Sequence, residues 1–135
     1  MKIDAILFRG KRCSTKEWIE GYYCIYPNLF SGVLQSHIFI PSYDAETGKG
    51  RCMFYSVIPE TVGQFTGLLD RNDKKIFEGD IVDILTENEE RGVITYENGG
   101  FVVKASTFVV DFMSNINGED VEVLGNIVDN PELLG

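Results

Sequence analysis

The sequence has little of the material from which catalytic and metal sites are usually built. It contains one histidine, His37, and three widely spaced cysteines, Cys13, Cys24 and Cys52. A structural zinc site needs about four Cys or His ligands at close paired spacing, which this set does not supply. A Ser-His or Cys-His pair needs the imidazole to reach a nucleophile on another segment, and nothing in the spacing requires that. We therefore expect no catalytic residue, no cofactor and no metal site.

The sequence also lacks the features of a secreted or membrane-bound chain. No apolar run approaches the roughly 20 residues that span a bilayer. Residues 1–9 place an acidic residue inside a short apolar run, which is typical of a strand and not of a signal peptide. The odd number of cysteines and the absence of a C-x-x-C spacing indicate free thiols in a reducing compartment. We expect a cytoplasmic protein, without membrane contact.

Negative charge is concentrated in the second half of the chain. The net charge is −9; residues 1–60 carry seven Lys or Arg against six Asp or Glu, and residues 61–135 carry five against fifteen. An acidic surface repels phosphate backbones, so we expect no direct binding of nucleic acid. Most such charge only solvates a surface. The sharper alternative is an acidic face that mimics DNA or inhibits a host factor.

Short β-type segments dominate the pattern along the chain. No segment longer than twelve residues has a clean helical period, and the sixteen aromatic residues favour strands. Asn98-Gly99, between two β-rich runs, is a strong hairpin signal because both residues tolerate positive φ. Residues 108–113 are ambiguous between strand and short helix, and Asn130 with Pro131 predicts one capped helical turn. Strands are predicted at residues 3–8, 18–25, 33–41, 52–58, 63–69, 75–77, 81–85, 91–96, 101–104 and 121–128.

These strands predict a mainly β fold of the β-rich α+β type. Many short strands joined by turn clusters are typical of barrels and sandwiches. The run from residue 63 to residue 128 suits a small SH3-like barrel, by analogy. We predict an N-terminal β-rich subdomain over residues 1–60, packed on an SH3-like barrel subdomain over residues 61–135. One continuous domain over residues 1–135 is the alternative.

Five carboxylates follow one another closely in the second half: Asp70, Asp73, Glu78, Asp80 and Asp83. The segment from Asp70 is superficially similar to a calcium loop, but Lys75 and Ile81 stand where Gly and Glu are required. Capping of turns is the ordinary role of such residues, and we expect Asp80 to accept backbone N–H bonds. A metal-dependent enzyme built on these carboxylates remains the second alternative.

Basic and aromatic residues are concentrated near the N-terminus. The basic cluster consists of Arg9, Lys11, Arg12 and Lys16. It either contacts an anion or is ordinary surface charge, which is the commoner case. The aromatic stretch consists of Trp18, Tyr22, Tyr23, Tyr26 and Phe30. We expect it to pack in a core, because a platform for stacking bases would need positive charge around it.

Several blocks of the sequence resemble the YopX family of phage and prophage proteins. They cover residues 8–12, 17–22, 61–68, 76–82, 123–127 and 129–134. Asn72-Asp73 departs from the Asn-Gly turn usual in the family, which predicts a different turn type. The resemblance implies a β-rich fold and a phage or prophage origin, and it brings no accepted catalytic residue. The family-motif positions, to which it implies structural roles, are Gln64, Thr66, Gly67, Asp70, Glu78, Gly79, Asp80, Gly125, Asn126, Asn130 and Pro131.

The sequence favours a non-catalytic binding or interaction module. Its partner is expected to be a protein of unknown identity. Self-association is a further expectation, because small β proteins with aromatic-rich segments often cover an apolar face with a second copy.

Overall fold

The computed structural model describes residues 6–85, 90–105, 109–111 and 117–135. These residues contain no α-helix, and the predicted mainly β class is confirmed. Short 3-10 helices occur among them at Pro59–Thr61, Gly118–Asp120 and Pro131–Leu134. In this part of the chain, no helix has the length and apolar character needed to cross a membrane. The strands are β1 (Phe8–Lys11), β2 (Trp18–Pro27), β3 (Leu34–Asp44), β4 (Lys49–Ser56), β5 (Gly63–Leu69), β6 (Lys75–Phe77), β7 (Asp80–Ile84), β8 (Glu90–Glu97), β9 (Gly100–Lys104), β10 (Val109–Asp111) and β11 (Val121–Asn126).

Several predicted strands differ from the structure at their ends, the first of them most. It was expected over residues 3–8, but β1 begins at Phe8 and includes Arg9 and Lys11, which were expected to end it. Residues 3–5 of that prediction lie outside the described residues. Of the ambiguous segment 108–113, the part described is a strand, β10. The helical turn at the C-terminus is a 3-10 helix with Pro131 in its first turn, as predicted.

The chain divides into two compact units, Met1–Gln64 and Phe65–Gly135. In the first unit the strands pair antiparallel in the order β4-β3-β2-β1, and the first residues of β5 pair with β1. The β3–β4 hairpin is long, with registered pairs from His37 and Ser56 to Asp44 and Lys49. Ile38 and Val57 are the buried apolar residues of this unit.

The second unit contains the larger apolar core. Phe65 and Leu69 of β5 pair with β6, and the other strands pair antiparallel in the order β10-β9-β8-β7-β11. Alternate residues of these strands face one side, as strand geometry requires. The core consists of Ile76, Val82, Ile84, Ile94, Phe101, Val103 and Val121.

The SH3-like barrel expected over residues 61–135 is not borne out, because no closed barrel is found among the described residues. The five-stranded sheet has β10 at one edge and β11 at the other, and no described ladder joins them. A bulge between Val123 and Gly125 bends β11 where it pairs with β7. Short strands and glycine bends in the sequence thus predicted the sheets. They do not by themselves determine whether a sheet closes into a barrel.

The two turns singled out in the sequence have left-handed residues. Asn98 and Gly99 both have positive φ, 52° and 82°, in the two-residue loop between β8 and β9, so the predicted hairpin is confirmed. In the Asn72-Asp73 turn, Asp73 takes a φ of 60°. Asp therefore occupies the left-handed position that Gly fills more easily.

Candidate functional site

Most of the family-motif positions lie at the bends that join the strands of the second unit. Gly67, in β5, has a φ of 89°, and Thr66 beside it is buried. The Thr66 hydroxyl donates to the Ile76 carbonyl at 2.8 Å and accepts from the Leu68 N–H at 3.2 Å. Gln64 lies in the first unit, where β5 pairs with Phe8 of β1. Thr66 therefore supports the pairing of β5 with β6 through its side chain.

Asp70 organises the turn after β5. It is only 4% exposed. One carboxylate oxygen accepts the N–H groups of Asn72 at 2.8 Å and Lys74 at 2.9 Å. The other accepts the N–H of Val123 in β11 at 3.0 Å. One side chain thus holds a tight turn and fastens that turn to a strand far along the chain.

The hydrogen bonds keep Asp70 ionised. Burial raises the pKa of this carboxyl, but the bonds from the Val123, Lys74 and Asn72 N–H groups lower it. The charge of Lys74 lowers it further, and the net result is a pKa below the usual value. Because all these donors are backbone N–H groups of the same unit, Asp70 is bound as an acceptor within the fold.

Glu78, Gly79 and Asp80 form the bend before β7. Gly79 has a φ of 91°, a conformation that a residue with a Cβ adopts only with strain. Its N–H donates to the Ile94 carbonyl at 2.8 Å, and its carbonyl accepts from Ile127 at 2.9 Å. Asp80, 1% exposed, accepts the Phe77 N–H at 2.7 Å, so the predicted role of this residue at the bend is confirmed.

Gly125, Asn126 and Asn130 form a third such junction. A Cβ on Gly125 would lie 2.4 Å from the side-chain oxygen of Asn130. That oxygen accepts the Asn126 N–H at 3.2 Å, and the Asn126 carbonyl accepts the Asn130 N–H at 2.8 Å. Asn130 occupies the N-cap position of the following helical turn, as predicted, but its side chain makes no cap bond there. Its side chain is used to close the loop from β11.

These contacts do not gather the carboxylates into a metal site. Among the described residues, no group of three or more His, Cys, Asp or Glu side chains is placed to hold a metal ion. Asp83 pairs with Arg91 at 3.1 Å. Asp70 and Asp80 are buried and accept backbone N–H groups. This is the turn-capping role expected from the sequence as the ordinary one for these residues.

His37 is buried in β3 and hydrogen-bonded at both ring nitrogens. It is 5% exposed and stacks on Tyr26 with ring centroids 3.7 Å apart. Nδ1 lies 3.0 Å from the Gln35 carbonyl, and Nε2 lies 3.3 Å from the Ser56 hydroxyl. A carbonyl at Nδ1 requires the proton there, which leaves Nε2 to accept from Ser56.

The contact between His37 and Ser56 is a pairing of catalytic type that the sequence reasoning missed. A serine hydrogen-bonded to an oriented imidazole is the arrangement that activates a nucleophile. Acyl transfer also needs free N–H donors for the oxyanion. The N–H groups of Cys13, Val57 and Ile58 lie in this region, but each donates to a carbonyl, at 2.9, 3.0 and 2.9 Å. The register of β3 and β4 brings the two residues together, and no local motif in the sequence signals it.

The basic cluster is directed at aromatic rings. The Arg9 guanidinium lies 4.8 Å from the Trp18 ring centroid, and Lys11 Nζ lies 5.5 Å from the same ring. Arg12 lies 4.3 Å from the Tyr55 ring. Such cation–π contacts hold long side chains against the sheet. Lys16, with a φ of 63°, donates to the Cys13 carbonyl.

The aromatic stretch only partly packs in a core. Tyr22 contacts Phe39 at 5.3 Å, and Phe39 contacts Phe54 at 5.5 Å, so a row of rings crosses β2, β3 and β4. Phe54 is nevertheless 54% exposed. Phe30 was expected in a core, and that expectation is wrong: it is 99% exposed in the loop between β2 and β3. A loop residue beyond the last strand pair lies too far from the sheet to be covered by it.

Two features of the first unit therefore remain as candidate binding surfaces. The first is strand β4, in which six of eight residues are exposed. The second is the loop 28–33 with an adjoining groove of about 470 Å³, whose lining includes Ile25, Leu34 and Val57. The groove is largely apolar, and β4 exposes the apolar side chains of Met53 and Phe54. Exposed apolar surface of this kind marks interaction sites more often than scattered single residues do.

The bends and sheets define a mainly β protein of two units, in which the turns of the family motif have structural roles. The YopX protein family matches residues 7–135, and the chain belongs to this family. The crystal structure of protein EF1440 from Enterococcus faecalis is similar, with a TM-score of 0.62 and 26% sequence identity, covering 96% of this chain and 98% of that chain. No curated protein matches significantly.

Proposed function

We propose that this protein is a non-catalytic interaction module of phage or prophage type, which binds a protein partner through the edge strand β4 in the cytoplasm of a bacterial host. The observation that carries the proposal is the exposure of β4. Residues Lys49 to Phe54 are all exposed, and in the described part of the chain only β3 pairs with this strand. Open strand edges bind extended peptides by adding a strand to the sheet.

The side chains of β4 suit such a partner. Met53 and Phe54 are about half exposed, and they point to opposite faces of the sheet because strand residues alternate. Lys49 and Arg51 give the strand positive charge, and it contains no acidic residue. A partner segment with apolar and acidic side chains would therefore match both the faces and the charge.

The alternative function, an acidic face that mimics DNA or inhibits a host factor, receives less support from the described residues. Asp70 and Asp80 are buried and bound to backbone N–H groups, so they add nothing to an outward acidic face. Glu97 pairs with Lys104, and Asp83 pairs with Arg91. A DNA mimic needs its carboxylates outward and unpaired.

The proposal is tested by photo-cross-linking from β4 in lysate of the bacterial host. A benzophenone amino acid replaces Met53, and a second version also carries Phe54→Glu. We expect one protein to be cross-linked reproducibly from residue 53 and its yield to fall at least tenfold in the Phe54→Glu version.

The matched control is Tyr96→Glu in the second unit. Tyr96 is 48% exposed, close to the value for Phe54, and it contacts the ring of Phe101, as Phe54 contacts the rings of Tyr26 and Phe39. Its replacement is expected to leave the cross-link yield unchanged. No specific adduct from residue 53, or equal losses from the two glutamate variants, would count against β4 as the binding strand.

A further inference from the structure

The loop between β2 and β3 presents two large apolar side chains to solvent. Leu29 is 94% exposed and Phe30 99% exposed. A loop tip is usually built from small and polar residues. Leucine and phenylalanine at this position expose apolar area to water, which is unfavourable in free energy. Burial of that area against a partner would remove this unfavourable free energy.

The loop is held in one shape by its own hydrogen bonds. The Asn28 side-chain oxygen accepts the N–H groups of Phe30 at 2.8 Å and Ser31 at 3.1 Å. The Asn28 N–H donates to the Val33 carbonyl at 2.8 Å, and the Gly32 N–H donates to the Asn28 carbonyl at 2.8 Å. A loop fixed in this way loses little conformational entropy when it binds.

An apolar groove, which suits the apolar side chains of the loop, adjoins the loop in the same unit. It has a volume of about 470 Å³ and is lined largely by apolar groups, including Ile25, Val33, Leu34, Val57 and Pro59, with the exposed thiol of Cys13 at its wall. Binding pockets for small ligands have volumes of roughly 300–1,000 Å³. The side chains of Leu29 and Phe30 are of a size and polarity that such a groove accepts.

We propose that this groove binds the apolar loop of a second copy of the chain, so that two copies exchange loops about a twofold axis. The loop and the groove are neighbours on one surface, so each copy offers both halves of the contact. That self-complementarity is what a twofold interface requires. The proposal is independent of the role of β4.

The distribution of charge along the chain favours a second copy as the occupant of the groove. Two molecules with a net charge of −9 each repel one another. Residues 21–43 contain no Asp, Glu, Lys or Arg, although 24% of the whole chain is charged. The loop and most of the groove lie in this uncharged segment, so it is the surface at which two copies approach with the least repulsion. Interface cores are depleted of charge in the same way.

The available area is sufficient for a stable dimer. Ile25, Leu29, Phe30, Val33 and Leu34 are each more than half exposed. At about 200 Å² for a fully accessible large apolar residue, their exposed parts amount to about 750 Å² per copy. Burying this area on both copies removes about 1,500 Å², within the roughly 1,200–2,000 Å² of specific interfaces.

The test measures the dimer dissociation constant of the full chain by sedimentation equilibrium. We expect a dimer that Phe30→Glu weakens at least about 100-fold, since two phenylalanine contacts are lost. Leu34→Glu, in the groove wall, is expected to weaken it similarly. Phe54→Glu is the control, because Phe54 lies in β4, outside the groove, and it is expected to leave the dimer unchanged.

Mixing the loop variant Phe30→Glu with the groove variant Leu34→Glu separates loop exchange from simple stacking of apolar faces. The Phe30→Glu chain keeps an intact groove, and the Leu34→Glu chain keeps an intact loop. A mixed dimer therefore retains one complete contact, and we expect it to form more tightly than either variant alone.

A disulfide measures the same contact directly. In a Cys24→Ser, Cys52→Ser background, Leu29→Cys under a thiol oxidant such as diamide is expected to give a covalent dimer through Cys13 of the other copy. Adding Cys13→Ser is expected to abolish it. A chain that is monomeric at about 100 μM, a dimer unchanged by Phe30→Glu, or failure of both the mixing and the cross-link would overturn the proposal.

Discussion

Individual polar residues carry much of the structure of the second unit. Asp70 satisfies three backbone N–H groups, and Asp80 and Asn130 each accept one at another bend. Removing a buried acceptor leaves its donors without partners, which costs more than the bond itself contributes. The motif that identifies the family is therefore a set of structural hydrogen bonds.

Asp70→Asn is expected to reduce the free energy of unfolding by roughly 2–4 kcal/mol at neutral pH. The amide supplies one oxygen where the carboxylate supplies two, and it directs an NH₂ group at a backbone donor. Urea unfolding followed by circular dichroism measures the change. Asp73→Asn, in the same turn but exposed, is the control, and we expect it to change stability by less than about 0.5 kcal/mol. Equal effects of the two variants would contradict the role of Asp70.

Acid should destabilise the wild type more steeply than the Asp70→Asn variant. The pKa of Asp70 is lower in the folded protein than its ordinary value of about 3.9. Ionisation therefore favours the folded state above that ordinary value, and the stabilisation is lost as the pH falls through the lower folded pKa. Urea unfolding between pH 6 and about pH 2.5 is expected to show the two stabilities converging below about pH 4. A constant difference across this range would show that ionisation of Asp70 plays no part.

Ser56 is expected to be unreactive despite its contact with His37. The nearby N–H groups of Cys13, Val57 and Ile58 are bonded to carbonyls, so they are not available to stabilise an oxyanion. Treating the protein with a fluorophosphonate probe and measuring its intact mass should show no adduct. Labelling of the wild type that disappears in His37→Gln would contradict the non-catalytic proposal.

Close packing at the bends determines how the strands meet. At Gly125 the Cβ of any other residue would lie 2.4 Å from the Asn130 side chain, which itself holds the Asn126 N–H. We expect Gly125→Ala to cost about 1–3 kcal/mol, because the loop must shift or lose that bond. Gly100→Ala is the matched control, since nothing lies within 4 Å of its added Cβ. Thermal unfolding of both variants measures the difference, and similar melting temperatures would contradict the packing described for Gly125.

Local signals in the sequence predicted the secondary-structure elements well. They predicted the contacts between distant segments of the chain poorly. The Asn98-Gly99 hairpin was predictable because the backbone conformation of a tight turn restricts which residues fill it. The bond from Val123 to Asp70 was not, because it joins segments 53 residues apart. The contact of His37 with Ser56 and the exposure of Phe30 also depend on register and on loop position, which a single sequence does not encode locally.

At the scale of the whole molecule, net charge opposes self-association while the apolar loop and groove favour it. The exchanged surfaces carry no formal charge across residues 21–43, so salt does not weaken the contact itself. Salt does screen the repulsion between two chains of net charge −9. We expect the dimer to tighten several-fold between 50 and 500 mM NaCl, as measured by light scattering. Dissociation at high salt would instead indicate an interface of opposite charges.

The central claim is that the family-motif residues maintain the fold while the exposed surface of the first unit binds. The cross-link yield from residue 53, compared between Asp70→Asn and Phe54→Glu at a temperature where both variants are folded, tests it most directly. We predict that Asp70→Asn lowers stability and leaves the yield within about twofold of the wild type. Phe54→Glu is expected to keep the stability within about 1 kcal/mol and lose the yield. A folded Asp70→Asn protein that no longer cross-links, beside a Phe54→Glu protein that does, would contradict the claim.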